Sequence, residues 1–182
     1  MKNIIILITV VISFVGCGNN AFQKEITEVE GLLNQVKETE KTLLSIDTSR
    51  VFAANKLINA DFKNFTQYSD TLTKVDALRV GKIFGSKKKF SRISKSYGFF
   101  VNEIIKCKKQ LNNLKADLEN GLVKKEQFSI YINTEKNAYN GLMHKINKST
   151  GNFEEAIGKY ELERPELLEL IEKRKARLTE NE

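Results

Sequence analysis

Between Phe90 and Leu118 the apolar residues fall at Phe90, Ile93, Tyr97, Phe100, Ile104, Cys107, Leu111, Leu114 and Leu118. The steps alternate three and four residues without a slip, which is a heptad a/d seam. A strand cannot use that spacing, because alternate strand residues point to opposite faces. The pattern predicts one helix of about 43 Å at 1.5 Å per residue. A rod with a single apolar stripe needs partner helices to cover it.

Other stretches supply partners. A second seam, Phe22, Ile26, Val29, Leu33, Val36 and Leu43, has Glu40 as its polar intruder and predicts a helix over 22–46. Asp47-Thr48-Ser49 breaks it, and Asp47 or Ser49 can cap the next helix through a side-chain oxygen. That helix is less sharply drawn, over 50–79. Val51, Ala54, Ile58, Phe62, Phe65, Leu72 and Val75 mark its apolar side, while Asp61 and Ser69 soften it. Gly81 and Gly85 then mark an aperiodic connector running to Lys89, the expected turn before the long third helix. Glu119-Asn120-Gly121 ends that helix, with Gly121 suited to a left-handed cap and Leu122 to folding back on the last turn.

A fourth track starts near Lys124 and runs through Phe128, Ile132, Glu135, Tyr139, Leu142, Ile146, Ser149, Phe153, Ala156 and Tyr160. Within it, Ser149-Thr150-Gly151-Asn152 marks a kink or break. Pro165 favours a fresh helix start at Arg164 or Pro165. The tail then forms a short amphipathic helix with Leu167, Leu168, Leu170 and Ile171, fraying near Thr179. Short links between four long helices predict an all-α fold. It is an up-down antiparallel four-helix bundle or, alternatively, an elongated coiled coil of two hairpins, each with a short C-terminal helix. The bundle is expected over 22–162 and the C-terminal helix with its charged tail over 163–182.

Residues 1–16 stand apart from this body. Lys2 gives a positive start, and residues 4–15 form an apolar run of signal-peptide length, short for a membrane span. The run ends in Phe14-Val15-Gly16-Cys17, followed by Gly18. This resembles the lipobox of bacterial lipoproteins, in which a small residue precedes a Cys that receives diacylglycerol and becomes the mature N-terminus. Phe14 and Val15 depart from the usual Leu and Ala or Ser. The resemblance implies a signal peptide over 1–16, a lipidated Cys17 and a short tether over 17–21. It also implies attachment to the outer membrane, because no Asp follows the Cys; periplasmic and external faces both stay open. Acyl chains contribute about 0.8 kcal/mol per buried CH₂. With Cys17 acylated, Cys107 has no intramolecular disulfide partner, and its seam position makes it core filling.

Charge adds a candidate contact. The chain has 30 basic and 23 acidic residues, and removing 1–16 takes away Lys2 alone, leaving +6. The excess is uneven: residues 81–125 hold twelve basic residues against three acids, whereas 154–182 hold six against nine. If the first helix leaves the membrane and the second returns, Lys87, Lys88, Lys89 and Arg92 come back beside the lipid. There they form a possible anionic-surface contact, with Phe84 and Phe90 dipping into the interface. The alternative is a solvated loop. Export removes nucleic acid as a partner for these cations and leaves an anionic glycan or lipid head group.

Catalytic signals are missing. His144 is the lone histidine, no Cys cluster accompanies it for zinc, and no Gly-x-Ser-x-Gly elbow occurs. The stretch from Gly81 to Lys87 lacks the glycine spacing and Gly-Lys-Ser/Thr of a phosphate loop. Glu40 and Glu135 would need partners if buried, and could then fix the register between helices. From Lys106 onward, Gln110-Leu111-Asn112-Asn113-Leu114, Asp117-Leu118, Gly121-Leu122, Phe128, Tyr131 and Glu135-Lys136 resemble small uncharacterised helical lipoproteins of Bacteroidota-type bacteria. The expectation is a non-enzymatic, lipid-anchored envelope protein without cofactor or metal, binding or scaffolding an envelope protein through an exposed strip near Leu167 to Ile171. The alternative is a surface ligand-binding or adhesin-like lipoprotein that uses its Lys-rich face.

Overall fold

The computed structural model describes residues 21–68 and 71–179. The described chain forms α1 (Gln23–Leu44), α2 (Thr48–Gln67), α3 (Lys74–Gly85), α4 (Lys87–Glu119), α5 (Lys125–Thr150) and α6 (Phe153–Thr179). The fold is an all-α helical bundle. The proposed signal peptide over 1–16, Cys17 and most of the tether lie outside the described residues.

Helix α4 is the spine, packing against α1, α2, α3 and α5. Its seam residues Phe90, Ile93, Phe100, Ile104, Cys107, Leu111, Leu114 and Leu118 are all buried. Cross-helix bonds fix the directions. Lys115 meets Glu30 at 2.6 Å, Lys108 meets Glu40 at 2.6 Å, and the Tyr97 hydroxyl donates to the Leu43 carbonyl at 3.1 Å. Numbers fall along α4 as they rise along α1, so the two are antiparallel. The trend continues into α2, where Lys87 Nζ lies 3.6 Å from the centre of the Phe62 ring.

Helices α1 and α2 therefore follow each other along α4, and the expected reversal at Asp47-Thr48-Ser49 is a kink. Asp47 does cap α2, accepting from the Arg50 amide at 3.0 Å and the Ser49 hydroxyl at 2.6 Å. The kink prevails because α4 offers two successive apolar stretches. Phe100 to Leu118 share one buried cluster with α1 and α5, while Phe90 and Ile93 share a second with α2, α3 and α6. Folding α2 back on α1 would strip the second stretch of Val51, Ala54 and Ile58.

The true reversal after α4 is a Schellman motif. The Leu122 amide donates to the Asp117 carbonyl at 2.8 Å and the Gly121 amide to Leu118 at 3.1 Å, with Gly121 at φ +66°. The apolar contact expected of Leu122 is made by Val123 instead, since Leu122 is 72% exposed and Val123 is buried. Helix α5 runs parallel to α1, with Lys136 on Glu28 at 2.5 Å and the Tyr139 and Thr39 hydroxyls 2.9 Å apart. The break anticipated at Ser149 to Asn152 occurs at Gly151 and Asn152, the latter at φ +54°. Beyond it α6 runs parallel to α2: Arg50 reaches Glu154 and Glu161, Asp61 meets Arg164, and Arg174 donates to the Tyr68 carbonyl.

The bundle thus has three long arms, α1–α2, α3–α4 and α5–α6, each interrupted once. A 45-residue arm such as α1–α2 has a contour of about 68 Å. Two predicted boundaries differ. The second helix stops at Gln67 and α3 starts at Lys74, because Thr73 caps it by accepting from the Asp76 amide at 3.2 Å. The connector over 81–89 is consequently helical except at Ser86, itself in helical geometry at φ −72° and ψ −21°. The boundary expected between 162 and 163 is absent, with Pro165 inside α6. Tyr160 before it and Leu167 and Ile171 after it sit in one cluster and carry the helix through. The carbonyl that Pro165 leaves without a donor belongs to exposed Glu161, where water can reach it.

Candidate functional site

The cations singled out by sequence come from the first two turns of α4. Lys87 is half-buried over Phe62. Lys89 Nζ reaches the Asn152 carbonyl at 3.4 Å, and Arg92 donates to the Lys148 carbonyl at 3.1 Å. The last two bonds satisfy carbonyls around the α5–α6 break, where the negative end of the α5 dipole also favours a cation. Lys88 is exposed. Between α2 and α4, Asn59, Phe84, Lys87, Lys88, Ser91 and Arg92 line a depression of about 500 Å³.

Two parts of the membrane-contact expectation fail. Phe90 is fully buried against Tyr160 and cannot dip into an interface, and half-buried Phe84 is held edge-on to Phe62 at 5.1 Å instead of projecting from the surface. The topology also moves the cluster. The start of α1 lies beside the start of α5, where Lys24, Glu25, Lys125 and Phe128 share one depression. Lys88 lies about 45 Å further along α4.

The structure adds Lys95, Lys145 and Lys148 to the cations named from sequence. Lys88, Arg92 and Lys95 recur at four- and three-residue steps on one face of α4, which exposed Phe99 continues. Arg92 bridges to α5, whose Lys145 and Lys148 are exposed. Among the described residues, none of Lys87, Lys88, Lys89, Arg92, Lys95, Lys145 and Lys148 pairs with a carboxylate. The available signal was the absence of Asp and Glu from 77–102 and from 136–153 together. Only the packing of α4 on α5 makes those two gaps one face.

A second depression of about 310 Å³ lies near the α4–α5 turn, lined by Gln110, Asn113, Asp117, Tyr131, Thr134 and Glu135 among others. Burial raises the Glu135 carboxyl above its ordinary value. Burial, and then the Glu135 charge, push the Cys107 thiol up to about 11, so at neutral pH it is a protonated core group and not a nucleophile. Glu40 has the partner its seam position demands, Lys108. His144 is exposed. Among the described residues no group of three or more His, Cys, Asp or Glu is placed to hold a metal ion. No described helix is long and apolar enough to cross a membrane.

The C-terminal strip changes role. Leu167 and Ile171 are buried, and Leu168 and Leu170 pack against the same cluster, so this apolar face is spent on the bundle and does not offer a partner surface. No protein family, curated protein or solved structure matches the chain.

Proposed function

We propose that this protein is a lipid-anchored helical rod of the bacterial cell envelope, acting by binding or scaffolding and not by catalysis. The observation that carries the reading is Gly16-Cys17 at the end of the apolar run, five residues ahead of the first bundle seam at Phe22. The body supports it. Its apolar seams are used internally, Cys107 is inert, and the acid-free stretches carrying Lys88, Lys95, Lys145 and Lys148 lie about 30–45 Å along the rod from the tethered end. That arrangement suits a spacer holding a binding face away from the membrane. Gly18 in place of Asp favours the outer membrane.

The test is metabolic labelling with radioactive palmitate. The expected result is label on the native chain and none on Cys17→Ala; an unlabelled native chain, or label retained by the variant, overturns the anchor. The carboxylate-free face favours a second reading, a surface lipoprotein that binds a ligand in the manner of an adhesin. Protease shaving of intact cells separates the two, because a chain on the periplasmic face is shielded.

A further inference from the structure

We infer that the carboxylate-free face of α4 and α5 docks a linear anionic polysaccharide, with exposed Lys88, Lys95, Lys145 and Lys148 as the contacting cations. Charge complementarity is the first argument. The stretches that carry these cations, 77–102 and 136–153, contain no Asp or Glu, whereas toward the other end of the bundle basic and acidic residues intermingle and Glu30, Glu40 and Glu28 pair with Lys115, Lys108 and Lys136. Shape is the second. The cations recur along α4, so a chain with repeating negative charges can follow them, while a flat bilayer meets a helical rod only along a line.

The neighbouring groups decide between a sugar and a lipid surface. Beside the lysine run Phe90 is fully buried and Phe84 is half-buried edge-on to Phe62, so neither flanking ring stands out of the surface as an interfacial anchor does. The depression next to Lys88 adds neutral groups of both kinds. Asn59 Nδ2 is engaged by Asn55, which leaves the Asn59 side-chain Oδ1 to accept a hydrogen bond, and the Ser91 hydroxyl can give or take one. That mixture fits a ligand bearing hydroxyls as well as negative charge. Exposed Phe99 at the end of the strip offers an apolar ring for the C–H face of a sugar. Choosing a glycan over a nucleic acid rests on the envelope reading.

The experiment uses the full chain purified in mild detergent, with fluorescent heparin and polygalacturonate oligosaccharides as probes read by anisotropy. Saturable binding that weakens with salt is expected for at least one probe. The variant Lys88→Gln/Lys95→Gln/Lys145→Gln/Lys148→Gln should weaken it about tenfold or more. A control of equal charge, Lys24→Gln/Lys37→Gln/Lys41→Gln/Lys109→Gln, should change it less than about twofold. Circular dichroism verifies that both variants fold, and Lys145→Gln/Lys148→Gln serves if the larger variant does not. The inference is overturned by absent binding, by equal weakening in variant and control, or by tighter binding to phosphatidylglycerol vesicles or a short DNA duplex. Binding to the purified chain needs no acylation, so this outcome and the palmitate result stand or fall separately.

Discussion

Glu135 and Glu40 both interrupt apolar seams, yet their surroundings diverge. Glu40 meets Lys108 across the α1–α4 contact, whereas no described cation pairs with Glu135 and burial alone raises its carboxyl. A carboxyl whose folded pKa lies above its ordinary value of 4.5 favours the fold when protonated. Its favourable contribution is fully present below the unfolded pKa and lost as pH rises through the folded one. Glu135→Gln keeps the neutral form at every pH. It should raise the melting temperature at about pH 7 by roughly 1–2 °C, a difference that closes near about pH 4. A difference that stays constant across that range would mean that ionisation of Glu135 is not what costs stability. The seam positions of both glutamates were legible in sequence. Which one faces a cation was not, because that depends on the register of α4 against its neighbours. Asp61 was misjudged for the same reason. It weakens an apolar stripe on paper, but its partners are about a hundred residues away, with the Tyr160 hydroxyl donating to it at 2.5 Å and Arg164 at 2.8 and 3.2 Å.

That carboxylate acts between elements, joining α2 to α6. The Tyr160 hydroxyl is held well above its usual range, first by burial and then by its bond to Asp61, so it remains a donor. Asp61 is 2% exposed, so neutralising it leaves the Arg164 guanidinium half-buried without its counter-ion. Asp61→Asn is expected to cost about 2–4 kcal/mol in urea unfolding. Adding Arg164→Leu should lose less than the sum of the two single effects, because the pair acts together. A cost for Asp61→Asn below about 0.5 kcal/mol would show that the α2–α6 contact stands without this clasp. Element boundaries followed the strength of the local signal. The unbroken seam over α4, and the regular ones over α1 and α5 with a single glutamate in each, located those helices, and Asn120-Gly121 located the reversal after α4. The gap between α2 and α3 was hidden because Leu72 and Val75 keep the apolar period, although Val75 is 66% exposed. The overlooked sign was Thr73-x-x-Asp76, whose caps outweigh the periodicity. Pro165 erred in the other direction, since packing on both sides of it overrides a local preference to restart the helix.

At the scale of the molecule, a short break between two amphipathic helices can be a reversal or a kink, and the pattern of each helix alone does not distinguish them. The choice belongs to α4, whose length gives α1 and α2 separate stretches to cover. It also decides where the basic face sits. With a kink at Asp47, spin labels at positions 24 and 88, on a Cys107→Ala background, should lie about 45 Å apart by pulsed dipolar spectroscopy. With a reversal, the end of α2 would return to the start of α1. Helices packed 8–10 Å apart would then bring those labels within about 25 Å. The five residues from Cys17 to Ala21 reach at most about 18 Å when extended. The longer separation therefore keeps Lys88 beyond the reach of the tether unless the whole rod lies down on the membrane. The shorter one would return the lysines to the anchored end, make the lipid surface their natural partner, and remove the reason for treating the bundle as a spacer.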